Sequence, residues 1–322
     1  VTALEALFRV QMARKDFTAA RHSAALIETA KPELPAGNYL SGLVEQADGK
    51  PEAARAAFER AAALAPDAVD PISALVRMDL SLQRPEQAIA RVDRVIAQFP
   101  KNPIARNLKG EVLTELKRTD AAIASFREAM VRAPGWIVPY RAMASAEWAA
   151  GRNEDAIKTL REGLKASNDS AQLVNDLANL YERLGRPNEA IAEYEELLQR
   201  HADSGLAANN LAMLLVTYRT DKVSLDRARA LAERFASSRS PDLIDTWGWV
   251  LFKRGENADA INVLQKAVDK APQSPVIRYH LAMAQLKSGA RDSARANLEH
   301  ALKLSPFADS DDAKKTLANL QR

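Results

Sequence analysis

Apolar residues recur at three- and four-residue spacing along the chain, as in AAIASFREAM at 121–130 and AINVLQKAV at 260–268. That spacing marks one face of an α-helix. The helical stretches are short, come in pairs, and the pairs repeat. Prolines stand at 32, 66, 100 and 134 and again at 272 and 306, with alanines at 20, 54, 88, 122, 156, 190, 260 and 294. Phe58, Phe126, Leu160, Tyr194, Leu264 and Leu298 share a further column. The pattern predicts two-helix units at 1–34, 35–68, 69–102, 103–136, 137–170, 171–204, 205–240, 241–274 and 275–308, then a polar segment at 309–322. The seventh unit departs from the pattern. TYRTDKVS is expected to lengthen its turn, Ala228 takes the alanine slot, and the closing proline is displaced to Pro241.

Each column has a physical job. Position 8 holds Gly42, Gly110 and Gly248, and Ala144, Ala178, Ala212 and Ala282 in other units. Glycine inside a helix costs about 1 kcal/mol relative to alanine, so close approach of the paired helices is expected there, with the position-20 alanine as its counterpart. Gly49, Gly151, Gly185, Gly255 and Gly289 are placed to close first helices in a left-handed conformation. The prolines near position 32 end second helices. One pair cannot bury its apolar surface alone, so neighbours must stack. Asp311, Asp312, Lys314 and Lys315 suit a solvated cap helix, whereas Leu4, Leu7 and Phe8 are expected to lack cover. That asymmetry predicts more repeats before Val1, and a chain opening on valine reads as an excerpt.

A helix–turn–helix period of 34 residues with these columns resembles the tetratricopeptide-repeat (TPR) family over essentially the whole length. The resemblance implies an all-α fold, a right-handed superhelical solenoid of about nine repeats with a C-terminal capping helix. It also implies that first helices line a concave, ligand-binding groove through positions 2, 5, 6, 9, 12 and 13. Those columns hold Arg141, Ser145 and Trp148, then Asn175, Asp176, Asn179, Glu182 and Arg183, then Asn209, Asn210 and Met213. Asp245, Trp249 and Lys253 follow, then Tyr279, His280 and Lys287. Side-chain amides can both donate to and accept from a peptide backbone, and interleaved aromatics supply large contacts. The alternative is that these residues only keep a face solvated. Earlier repeats offer Glu5, Arg9, Tyr39, Leu43, Arg77, Asn107 and Glu111, a less coherent set.

The same register separates two nearby tryptophans. Trp247 shares a column with Leu7, Leu75, Leu177, Leu211 and Leu281 and is expected to be buried. Trp249 lies about 200° further round the helix, in a groove column beside Asp245. A chaperone-tail carboxylate clamp is rejected: Asn179 and Asn210 match its asparagine slots, but Asn175, Asp242 and Thr246 replace its cations. The last third, including NNLAMLL and DTWGWVLFKRGENADAI, looks like TPR envelope lipoproteins of bacterial exopolysaccharide export and exosortase-type sorting. That resemblance implies a periplasmic or envelope-associated scaffold.

Composition narrows the chemistry. The 45 basic and 42 acidic residues are interspersed, so no nucleic-acid partner is expected. No cysteine is present and no apolar run spans a bilayer. The four histidines, His22, His201, His280 and His300, are not at metal-ligand spacing on one helix, and no phosphate loop or nucleophile elbow occurs. The expectation is a non-enzymatic scaffold without cofactor or metal, binding a partner protein or extended peptide. Alternatives are a polysaccharide module stacking sugars on Trp148, Trp249 and Tyr279, or the regulatory array of a larger enzyme.

Overall fold

The computed structural model describes residues 2–320, so the bounds Val1 and Arg322 of the expected first repeat and terminal segment lie outside the described residues. Among the described residues are nineteen α-helices, a 3₁₀ turn at Glu233–Phe235 and no strand. They form two compact units that divide after Asn168. The first contains α1 (Thr2–Ala13), α2 (Phe17–Ala30), α3 (Ala36–Ala47), α4 (Pro51–Leu64), α5 (Val69–Ser81) and α6 (Pro85–Gln98). It continues through α7 (Pro103–Glu115), α8 (Thr119–Arg132), α9 (Val138–Ala149) and α10 (Asn153–Ala166). The second contains α11 (Ala171–Arg183), α12 (Pro187–Arg200), α13 (Gly205–Tyr218), α14 (Lys222–Ala232) and α15 (Pro241–Lys253). It ends with α16 (Asn257–Lys270), α17 (Pro275–Lys287), α18 (Arg291–Leu304) and α19 (Ser310–Leu320).

Odd-numbered helices pair with the even-numbered helices that follow, and each pair packs on the next within its unit. First helices of successive pairs also touch: α5, α7 and α9 in the first unit, and α11, α13, α15 and α17 in the second. Helices α2, α4, α6, α8, α16 and α18 each stop two residues before a proline, because proline disfavours a helical conformation in the residue before it.

The first helices close through one left-handed residue. Gly49, Gly151, Gly185, Gly255 and Gly289 have φ between 69° and 85°. The equivalent slots hold Lys15, Gln83 and Lys117, with φ of 57–59°. The seventh pair differs, though not through a longer turn. Its turn is residues 219–221, as long as residues 48–50 in the second pair; α13 runs on to Tyr218, and α14 starts at Lys222, earlier relative to Ala228 than α16 starts relative to Ala260. Arg219 is then extended rather than left-handed, and Asp221 starts α14 by accepting from the Ser224 amide at 2.9 Å.

The glycines at position 8 do mark close approach, but to a different partner from the expected alanine. A methyl group on Gly42 would collide with the Phe58 ring, one on Gly110 would lie 2.5 Å from Phe126, and one on Gly248 would lie 2.6 Å from Leu264. The glycine is thus a seat for the large side chain at position 24. Phe58, Phe126 and Leu264 are at most 1% exposed. Burying such a side chain contributes about 1.5–3 kcal/mol, which outweighs the roughly 1 kcal/mol helix penalty of glycine. Phe8 also departs from expectation. It is 3% exposed, packed with Ala20, Ala24 and Val44, while Leu7 on the same helix is 47% exposed.

A polar bridge missed in the sequence joins the helices of several pairs twelve residues apart. Ser23 donates to Gln11 at 2.8 Å, Arg91 to Asp79 at 3.0 Å, Thr159 to Glu147 at 2.8 Å and Asn297 to Gln285 at 3.0 Å. Asp79 is fully buried and is also held by Arg55 at 2.8 Å. Each bridge satisfies a polar group that the pairing would otherwise strand.

Two stability predictions follow from this packing. Gly110→Ala should lower unfolding stability by about 1–2 kcal/mol, because overpacking at Phe126 exceeds the gain in helix propensity. Adding Phe126→Leu should make the combined loss smaller than the sum of the single losses, measured by urea unfolding. The second concerns Glu147, whose carboxyl is pushed above its ordinary 4.5 by burial, with the Thr159 hydrogen bond opposing. A raised folded-state pKa stabilises at low pH, and that stability is lost as pH rises through the folded value. Glu147→Gln should therefore be more stable than wild type near pH 7 and match it only at about pH 3 and below, where the carboxyl is protonated in both states.

Candidate functional site

In the second unit the expected groove columns are largely occupied by contacts between first helices. Asn210 on α13 donates to Asn175 on α11 at 2.8 Å. Thr246 on α15 donates to Asn209 on α13 at 2.7 Å. His280 on α17 meets both carboxylate oxygens of Asp245 on α15 at 2.9 Å. A carboxylate only accepts, so the imidazole Nδ1–H is the donor. In all three the residue at position 6 of one repeat bonds position 5 of the repeat before it. The fourth rung runs from Tyr279 on α17 to Asp312 on α19, whose carboxylate accepts from the phenol at 2.7 Å.

The first two rungs are linked. Asn209 donates to Asn210 at 3.0 Å, and Asn210 also donates to the Tyr194 hydroxyl at 2.8 Å. Tyr194 donates in turn to Asn175 at 2.9 Å. Burial pushes the Tyr194 phenol up to about 12, against the opposing hydrogen bond from Asn210, so it stays protonated and able to donate. Burial, then the bond to the Asp312 carboxylate, raises the Tyr279 phenol likewise.

These bonds redistribute the expected binding residues. Both amide hydrogens and the carbonyl of Asn210 are engaged within the protein, and Asn209 uses its amide and carbonyl on Asn210 and Thr246. They support the face rather than offer free peptide-bonding groups. Asp245, Trp249, Tyr279 and His280 are buried, at 6%, 8%, 5% and 4% exposure. Trp249 stacks on His280 at 3.9 Å and on Phe252 at 4.8 Å, with Lys253 5.2 Å from its ring centre. Both Trp247 and Trp249 are therefore interior residues. Trp247, 7% exposed, lies under Arg229 at 5.6 Å, while the other ring is covered by the neighbouring first helix. Sequence spacing set their opposite directions but not the cover supplied by α17.

Asn179 and Arg183 remain exposed on α11. Asn179 borders a recess of about 320 Å³ between α11 and α13, with Glu182 and Thr217 at its rim and Met213 and Leu214 among its apolar lining. Asn175, Tyr194 and Asn210 form the polar side of this recess. In the first unit Arg141 and Trp148 are half-buried on α9, and Arg141 has partners within the protein.

This arrangement of stacked helix pairs is the architecture of the TPR class. Tetratricopeptide-repeat profiles match residues 46–112, 147–214 and 251–320, and a further one matches 104–134. The chain belongs to the tetratricopeptide-repeat family. A comparison with curated proteins finds no match. Among solved structures, a TPR protein from Parabacteroides merdae is 15% identical with a TM-score of 0.50, covering 78% of this chain and 98% of that one. PilW, a type IV pilus biogenesis factor, is 18% identical with a TM-score of 0.44, covering 64% and 96%. A thermophilic TPR protein in Thermus thermophilus is 22% identical with a TM-score of 0.39, covering 56% and 98%. These are likenesses of fold. Among the described residues no helix is long and apolar enough to cross a membrane.

The buried Asp245–His280 rung gives a direct test. Asp245→Ala leaves the imidazole buried without its acceptor and should lower stability of the second unit by about 1–3 kcal/mol. The Asp245→Ala/His280→Ala pair should lose less than the sum of the singles, followed by tryptophan fluorescence in urea.

Proposed function

We propose that the chain is a non-catalytic scaffold that binds a partner protein or extended peptide along the first-helix face of its second unit. The TPR fold supports an interaction scaffold in general. The observation that carries the finer reading is the recess beside Asn179, whose polar wall is held by the Asn175–Tyr194–Asn210 network. A wall already hydrogen-bonded in the free protein needs little ordering on binding, which favours affinity. Asn179 presents an amide to solvent there, and Met213 and Leu214 offer apolar contact for a partner side chain.

The same proposal takes nine repeats as the organisation and α19 as the cap. Ala313 and Leu320 of α19 are buried, and Arg295 on α18 donates to the Leu320 carbonyl at 3.0 Å. The likeness of the last third to envelope TPR proteins supports a role in a bacterial envelope assembly. A polysaccharide platform draws no support from Trp249 and Tyr279, since sugar stacking needs exposed ring faces.

The test is affinity capture from a lysate of the source organism with wild type and an Asn179→Ala/Met213→Ala variant, each checked for an unchanged helical spectrum. The variant should recover a specific partner at least about tenfold less well, the loss expected when central contacts are truncated. Equal recovery of every captured protein would sink the proposal.

A further inference from the structure

A second recess lies wholly within the first unit, where the N-terminal turns of α3, α5 and α7 come together. Its volume is about 500 Å³, within the range of ligand sites. Pro35, Tyr39, Val69, Pro71 and Ile104 give it an apolar and aromatic lining, and Asp67 and Asp70 also border it. The aromatic wall is preset by packing. Tyr39 meets Phe58 at 5.7 Å between ring centres, and Phe58 fills the space that Gly42 leaves open. Ile104 is 44% exposed at the recess, an apolar side chain that a bound group would cover.

The two carboxylates supply the complementarity. Both aspartates are exposed. Asp79 is clasped by Arg55 and Arg91, whereas neither Asp67 nor Asp70 pairs with a basic side chain among the described residues. Asp70 stands in the first turn of α5, where the helix dipole already favours a carboxylate. Asp67 has no such explanation, because Ala68, and not Asp67, caps the start of α5, with no side-chain cap bond. The charge of Arg77 reaches Tyr39, but Arg77 lies about two turns beyond Asp70 on α5 and also faces Glu111.

We propose that this recess binds a lysine or arginine side chain from an extended segment of a partner protein, with its aliphatic stem against Tyr39, Val69 and Ile104 and its cationic head beside Asp67 and Asp70. Long basic side chains suit such a site because the stem is apolar and the charge stays near water. The Tyr39 ring adds attraction for a cation. This site is independent of the reading for the second unit, which is scored by capture with the Asn179 variant.

The test uses the full chain labelled with ¹⁵N and three probes: an acetylated, amidated hexapeptide of alternating lysine and leucine, its glutamate-for-lysine analogue, and free cadaverine. The lysine peptide should shift backbone amides around Tyr39, Asp67 to Asp70 and Ile104, and the glutamate peptide should not. Asp67→Asn/Asp70→Asn should weaken the lysine peptide roughly tenfold, as expected for two exposed charge pairs. Added salt should weaken it too. Equal binding of the glutamate peptide, or undiminished binding to the double variant, would overturn the site. Cadaverine binding as tightly as the peptide would overturn the assignment to a protein segment.

Discussion

A pair of short helices buries one face of each helix and leaves the other apolar and exposed. Stacking on a neighbour is the way such a pair becomes stable, and the rest of this structure depends on that constraint. Within a pair, the seat at position 8 decides how closely the helices approach. Gly42 and Gly110 admit phenylalanine rings, and Gly248 admits Leu264. Between pairs, the same stacking brings first helices into contact, as α11, α13, α15 and α17 show. Any polar side chain on that contact must find a partner there.

The rungs of the second unit answer that requirement. An intramolecular hydrogen bond adds only about 0.5–1.5 kcal/mol net, while a buried group left unpaired costs about 1–3 kcal/mol. The Asn210–Asn175, Thr246–Asn209 and His280–Asp245 rungs therefore do more against wrong registers than for stability. Sliding one first helix against the next would strand the buried Asp245, Thr246 and His280 together. The consequence is a face whose polar residues are already oriented, with Asn179 left exposed beside them.

The bridges within pairs follow the same logic with changing chemistry. Gln11 is matched by Ser23, Asp79 by Arg91, Glu147 by Thr159 and Gln285 by Asn297. The acceptor stays in one column and the donor in another, though the residue types differ. Glu147 shows the limit of this solution. One hydroxyl does not offset the burial of its carboxylate, so its pKa rises. Asp79 is instead held by two guanidinium groups.

The amino-acid pattern by itself determined the helix pairs, their period, the five glycine closures and the prolines that end second helices, though not the left-handed Lys15, Gln83 and Lys117. Each of these depends on residues close together in the chain or one period apart. It also placed Trp247 and Trp249 on opposite sides of α15. What tertiary structure alone decided was which groove-column residues stay exposed and which face another helix. Asn175, Asn209, Asn210, Asp245, Tyr279 and His280 were legible as a polar and aromatic set, but not as rungs. A usable signal was present, since complementary groups stand 35 or 37 residues apart. Reading it requires the separation of adjacent first helices, and that separation is set by the side chains packed between them. The burial of Trp249 has the same origin: His280 reaches it from the next repeat, and no local pattern on α15 encodes that neighbour.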